Sequence, residues 1–211
     1  MKTVSLTQTN QSEIISEAVA VLRRGGSIIY PTDTVYGLGV NPFDDFAVRR
    51  LFRIKKRSPD KAVALIVKSI TMAKKLAYID AAKEEDLRNL WPGAVSVVLH
   101  KRGIVPKEVS AGTDTVSLRM PDNRFCINLI RAFNSPITST SANISGENHT
   151  NDPGMIAERF SKEAYKPDLI IDAGVLEPRM ASTVLDLTKE KAKVTRIGPV
   201  KPSELAKILE M

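Results

Sequence analysis

The sequence predicts an α/β fold in which helices pack on a mixed, twisted sheet. Two observations carry this. Apolar residues at helical spacing alternate along the chain with short continuous apolar runs of strand length, and no repeat, low-complexity segment or linker interrupts them. The size agrees: 211 residues, 43% hydrophobic and 26% charged, suit one globular domain that buries a sizeable core. A single domain over residues 1–211 is expected.

The first helix follows Asn10, where Glu13 completes a capping-box pattern, and carries Ile14, Ile15, Ala18, Val19 and Leu22 until Gly25 and Gly26 end it. Ser27 to Tyr30 reads as a buried strand closed by Pro31. Asp44 and Asp45 open a second helix with the stripe Ala47, Val48, Leu51, Phe52 and Ile54, which delivers Lys55 to Arg57 at its C-terminus, where cations suit the helix dipole. Ala62 to Val67 has strand length. Helices follow at about Ile70 to Ala77 and Ala82 to Leu90, then the breaker Trp91-Pro92-Gly93. Strands are expected at Val95 to Leu99, Thr115 to Met120, Ile137 to Thr140, Leu169 to Asp172, Ser182 to Leu187 and Lys193 to Ile197. Helices are expected at Arg124 to Phe133, Pro153 to Phe160 and Pro202 to Leu209.

Several classes are set aside. The longest uncharged stretch, Ala132 to Gly146, is rich in Ser, Thr and Asn, so no segment has membrane-spanning character. The polar N-terminus lacks a signal-peptide core, and the single Cys126 forms no internal disulfide, so a cytoplasmic protein is expected. Neither a G-x-x-x-x-G-K-[ST] loop nor a G-x-G-x-x-G turn occurs. His100 and His149 lack partners at metal-ligand spacing, and Cys126 reads as a buried, inert thiol.

The net charge of +7 is uneven, for residues 106–211 carry equal numbers of acids and bases. From Arg49 to Lys61, seven bases face one acid, Asp60. Such density marks a surface that meets phosphate or another polyanion, or else a solvated helix face.

Three segments bear chemistry. Pro31-Thr32-Asp33-Thr34-Val35-Tyr36-Gly37-Leu38-Gly39 sets hydroxyls, a carboxylate and glycines just past a buried strand, at a sheet edge where ligands bind. Lys55-Lys56-Arg57 offers a point cation and a planar fork that can grip a polyphosphate from two directions. Ser139-Thr140-Ser141-Ala142-Asn143-Ile144-Ser145-Gly146 is dense in small donors suited to phosphate oxygens. Thr32, Asp33 and Tyr36 are candidates to shape the pocket, level with plain turn bonding for Asp33 and packing for Tyr36. For Ser145 and Gly146, loop geometry is the expectation.

In this order, the segments resemble the YrdC family of threonylcarbamoyl-AMP synthases. The likeness runs from about Ile15 to Val200 and includes WPGAVSVVL at 91–99, SLRMP at 117–121, STVLDL at 182–187 and RIGPV at 196–200. It implies a YrdC-like fold around a large electropositive cavity, without the accessory C-terminal domain of longer members. It also implies a catalytic signature at Lys55, Arg57, Ser141 and Asn143. By the same resemblance, ATP would contact Arg57, Lys61, Thr115, Ser141 and Arg196, and threonine would contact Thr34, Arg119, Ser139 and Ser182. Where many members read Lys-Gly-Arg-Pro, then Asn-Pro-Leu and a His, this chain has Lys56, Ser58, Lys61-Ala62-Val63 and Ile66, and His149 stands where Ser is common.

The implied reaction joins L-threonine to bicarbonate or carbon dioxide as a carbamate, which attacks the α-phosphorus of ATP and expels pyrophosphate. Every partner is an anion, so catalysis is expected to rest on positioning and charge neutralisation. Lys55 and Arg57 would clamp the phosphates, Ser141 and Asn143 would orient the α-phosphate, Arg196 would add charge, and the Arg119 fork would hold the threonine carboxylate. No metal site on the protein is expected: Mg²⁺ would travel with the ATP phosphates. Expected partners are ATP, L-threonine, bicarbonate and a downstream threonylcarbamoyl transferase complex, with no membrane. The alternative is a tRNA or double-stranded RNA-binding module of the same fold without synthase activity. Few aromatics accompany the bases, which argues against single-strand stacking.

Overall fold

Three-residue strands need partners on both edges to persist, and this chain supplies them by threading most of its short apolar runs through one sheet. The computed structural model describes residues 1–209. In chain order the elements are β1 (Lys2–Ser5), α1 (Gln11–Arg23), β2 (Ile28–Tyr30), β3 (Gly37–Gly39), α2 (Asp45–Lys55), β4 (Ala64–Ile66), α3 (Ile70–Leu76), α4 (Ala81–Leu90), β5 (Val95–His100) and α5 (Lys107–Ser110). Then follow β6 (Thr115–Arg119), α6 (Arg124–Phe133), β7 (Ile137–Ser141), α7 (Pro153–Ser161), β8 (Leu169–Asp172), β9 (Thr183–Asp186), β10 (Lys193–Arg196) and α8 (Pro202–Ile208).

The sheet has ten strands in the order β1-β8-β2-β3-β7-β4-β6-β5-β9-β10. Its pairings are mixed: β8 and β2 are parallel, as are β4 and β6, whereas β7 runs antiparallel to both its neighbours. Leu38 pairs with Thr140 on one edge of β7, and Leu65 with Thr138 on the other.

Two apolar layers hold helices to this sheet. In one, Ile14, Ala18 and Leu22 of α1 and Phe125, Leu129 and Ile130 of α6 pack with Ile28, Leu169 and Ile171. In the other, Ala47, Val48 and Leu51 of α2 pack with Leu65, Val97 and Leu118. Burying such side chains contributes about 1.5–3 kcal/mol each. Side-chain caps define most helix starts: Asp44, Ser69, Asp80, Asn123 and Asp152 each accept a backbone N–H from the first turn.

The capping box expected at Asn10 is corrected. Asn10 Oδ1 accepts from the Thr7 amide at 2.8 Å and its Nδ2 donates to Ser5 O at 2.9 Å, so the side chain closes the preceding turn and leaves the helix uncapped. The strand expected from Ala62 begins only at Ala64, because the Val63 amide bonds the Val109 carbonyl beside α5 at 2.9 Å. Among the described residues β1, β3 and α5 are elements that pattern reading did not anticipate.

Candidate active site

The site is a cavity of about 260 Å³ between the middle strands and the loops at their ends. Alternation along β6 turns Ser117 and Arg119 to this cavity and Val116 and Leu118 to the core. β7 contributes Ser139, Thr140 and Ser141, β5 contributes Ser96, the chain entering β9 contributes Ser182, and β10 contributes Arg196. Arg57 reaches the wall because Lys56 takes a left-handed conformation (φ 49°) and ends α2, swinging the chain out of helical register. Thr32 and Thr34 close the opposite side.

Three guanidiniums and no carboxylate line the cavity. Arg119 is anchored from behind: its Nε donates to Gly93 O at 2.9 Å, Nη1 to Thr34 Oγ1 at 2.8 Å and Nη2 to Asp33 Oδ1 at 2.6 Å. Both partners of that ion pair are nearly dry, with side chains 7% and 10% exposed. Arg196 bonds Ser182 O through Nε and Nη2 at 3.0 and 2.7 Å, and Arg57 Nη2 bonds Ala62 O at 2.8 Å. Burial lowers the pKa of Arg57; burial, then the Arg119 and Arg57 charges, lowers that of Arg196. Guanidinium stays charged all the same. Unsatisfied positive charge is thereby stored in a partly dry site.

Of the residues singled out by sequence, Arg57, Ser141, Arg196, Thr34, Arg119, Ser139 and Ser182 line this one cavity. Lys55, Asn143, Lys61 and Thr115 do not. Lys55 is 2% exposed, and its ammonium donates to Ser141 O, to Asn143 O at 2.7 Å and to Asn143 Oδ1 at 3.2 Å. Of the clamp expected of Lys55 and Arg57, only Arg57 stands at the wall, while Lys55 binds protein oxygens. Asn143 likewise faces its own loop: Oδ1 accepts from Ser141 Oγ at 2.6 Å, and Nδ2 donates to Glu147 O at 2.6 Å. Lys61 is exposed beyond the rim, where its carbonyl accepts from Arg57 Nε at 3.3 Å. Thr115 shares the face of Ser117 and Arg119 but lies at the far end of β6, with its hydroxyl 3.2 Å from that of Thr113. The Arg119 fork is also partly engaged, through Asp33 and Thr34, before any ligand arrives.

The basic run does not face the cavity as a whole. Arg50 pairs with Asp168, Lys56 with Glu163 at 2.7 Å and Arg49 with Glu108 at 3.9 Å, while Arg53 lies 5.6 Å from the Tyr165 ring centre. Within the run, only Arg57 lines the cavity.

Asp33 forms an ion pair, an outcome neither reading named. Thr32 does line the pocket, and its Oγ1 donates to Val35 O at 2.6 Å. Tyr36 ties two loops together, donating to Gly174 O at 2.7 Å and accepting from the Ala173 amide at 2.9 Å; burial pushes its phenol up to about 12. His149 lies in a separate surface groove with Met155 and Arg179. Cys126 is fully buried, and burial raises its thiol far above the ordinary range.

Sequence reasoning missed Ser96 and Ser117 as lining groups, whereas Thr32 and Thr140 lay in segments it had singled out. The available signal was a hydroxyl interrupting an apolar strand, as in Val95-Ser96-Val97 and Val116-Ser117-Leu118. Among the described residues, no cluster of three or more His, Cys, Asp or Glu side chains stands ready to hold a metal, and no helix is long and apolar enough to cross a membrane.

A mixed sheet with an acid-free, arginine- and hydroxyl-lined hollow defines this α/β protein. The chain belongs to the Sua5/YciO/YrdC family, whose sequence profile, described as "Telomere recombination", matches residues 20–198. It is 35% identical over 193 residues to a threonylcarbamoyl-AMP synthase of Pyrococcus abyssi, covering 91% of this chain and 56% of that protein. It thus spans little more than half the length of that relative. The crystal structure of P. abyssi Sua5 complexed with L-threonine superposes with a TM-score of 0.90 at 33% identity, over 99% of this chain and 61% of that one. That of Escherichia coli YciO superposes at 0.83 with 29% identity, over 93% and 94% of the two chains.

Proposed function

We propose that this chain is an L-threonylcarbamoyladenylate synthase. It would convert L-threonine, bicarbonate or carbon dioxide, and Mg-ATP into threonylcarbamoyl-AMP and pyrophosphate, for threonylcarbamoyladenosine in tRNA. The carrying observation is the single cavity that gathers Arg57, Arg119 and Arg196 with a continuous run of hydroxyls and excludes carboxylates. The name of the Pyrococcus relative, and the threonine in its solved complex, support the reading.

The chemistry follows from the charges. The threonine amine adds to carbon dioxide and loses a proton, giving a carbamate. A carbamate oxygen then attacks the α-phosphorus, the bond to the bridging oxygen breaks, and pyrophosphate leaves with that electron pair. Repulsion among carboxylate, carbamate and triphosphate is the main barrier to assembly, and preorganised cations remove it without reorganising at the moment of reaction. Of the five guanidinium N–H groups of Arg119, Gly93, Thr34 and Asp33 take three, leaving two for a carboxylate. Thr34, Ser139 and Ser182 would complete the amino-acid end, and Arg57, Arg196 and Ser141 the phosphate end. The wall offers hydroxyls and guanidiniums and no carboxylate, so Mg²⁺ would belong to the substrate as Mg-ATP. The product would pass to a transferase that modifies tRNA.

The test is pyrophosphate release from Mg-ATP, L-threonine and bicarbonate. Release that requires all three is expected. No release, together with RNA binding that weakens steeply with salt, would overturn the synthase reading in favour of an RNA-binding module.

A further inference from the structure

Lys55 is the most deeply buried cation of the basic run, and three protein oxygens receive its ammonium. Its ammonium donates to three oxygens of the segment that leaves β7: Ser141 O, Asn143 O and Asn143 Oδ1. Its own carbonyl accepts from the Ser145 amide at 2.8 Å. One residue at the end of α2 thus grips the 141–145 loop at both ends, donating from the side chain and accepting at the backbone. The loop closes on the same point from within, since Ser141 Oγ donates to the Asn143 Oδ1 that also receives Lys55.

The two elements joined in this way each carry a group of the cavity wall. Arg57 stands two residues beyond Lys55, and Ser141 lies where the loop begins. Their separation fixes the width of the end of the cavity that would receive phosphates. No hydrogen bond of theirs joins them directly, because Arg57 donates to Lys61 and Ala62 and Ser141 to Asn143. Lys55 is the link. A buried amine with three oxygen acceptors is directional, whereas an apolar replacement leaves those carbonyls without partners.

We infer that Lys55 is a positioning residue which sets the distance between Arg57 and Ser141 by stapling the 141–145 loop to the end of α2, and that it does not touch the nucleotide. The inference rests on the synthase reading only for the identity of the polyphosphate.

Two variants test it, each read by amide hydrogen exchange and by calorimetric binding of Mg²⁺ with a non-hydrolysable ATP analogue. Lys55→Met removes the staple. Asn143→Ala weakens it from the loop side and leaves both backbone acceptors in place, so it serves where Lys55→Met does not fold. Exchange at the Asn143 and Ser145 amides is expected to rise about tenfold, the equivalent of one buried hydrogen bond. Exchange at Leu118 in β6 should stay unchanged, analogue affinity should fall about tenfold, and the double variant should lose less than the sum of the two. Weakened binding with unchanged loop exchange would mean that the ammonium acts on the nucleotide itself, and faster exchange with unchanged binding would mean that the staple does not shape the site; either overturns the inference. A wild-type protein that binds the analogue yet releases no pyrophosphate overturns the synthase reading alone. One that does not bind it overturns both.

Discussion

At Arg57, position in the fold separates one guanidinium from six neighbouring bases. Arg57→Ala is expected to reduce turnover by roughly two to three orders of magnitude, the effect of removing one transition-state charge donor. A loss below about threefold in a folded variant would remove it from the mechanism. Asp33 acts one step further back, since its carboxylate aims the Arg119 fork. Asp33→Asn keeps an acceptor but leaves a nearly dry cation without a countercharge, at a cost of about 3 kcal/mol. Denaturant unfolding should register that loss, while KM rises for threonine and stays level for Mg-ATP. Lys55 gives a pH signature. Burial, then the Arg57 charge, pushes its ammonium down to about 7, against about 10.4 in an unfolded chain. Between those values the unfolded state holds a proton that the native state lacks, so stability gains as pH rises. The stability of wild type minus that of Lys55→Met should therefore be level below pH ~6 and grow from about pH 7 to 9. A flat or falling difference contradicts this.

At the scale of elements, the turn after β10 has no tolerance for volume. A Cβ on Gly198 would lie 2.3 Å from Ala181 O and 2.4 Å from the Thr183 amide nitrogen. Gly198→Ala must displace the chain that presents Ser182 and Arg196, so both thermal stability and nucleotide binding should fall, the former by about 1–3 kcal/mol. The same view explains which elements patterning revealed. Helix α6 matches its expected span, Arg124 to Phe133, because one apolar stripe meets one layer of the core. Strand β3 is Gly-Leu-Gly and owes its identity to pairing with β2 and β7, which no local pattern encodes. Strand β1 is a largely exposed edge whose one apolar residue, Val4, gives alternation too little to report. The site divides similarly. Its cations and hydroxyls stand out in sequence, but which of Lys55 and Arg57 turns to the cavity depends on the left-handed turn at Lys56 and on carbonyls from a loop some 86 residues away.

Across the whole molecule, local charge density is a poor guide to the surface field. The basic run meets Glu108, Glu163 and Asp168, acids drawn from the second half of the chain, so folding neutralises much of what composition displays. Duplex RNA is therefore expected to bind weakly, with a salt dependence equivalent to fewer than about three phosphates between about 50 and 200 mM salt. Fluorescence anisotropy over that range would reveal a steeper slope if an extended basic face existed. Part of the positive charge that remains is internal, and hydroxyls surround it. In the cavity wall, Ser96 Oγ and Ser182 Oγ lie 2.8 Å apart and either can be the donor, whereas Thr32 Oγ1 gives its proton to Val35 O and so accepts from Thr34 Oγ1 at 3.1 Å. Such a wall is made of small rotors. In the proposed reaction, as negative charge passes from the attacking oxygen to the departing one, rotation about the C–O bonds of Ser96 and Ser182 would reverse that pair's dipole while the sheet that carries it stays still.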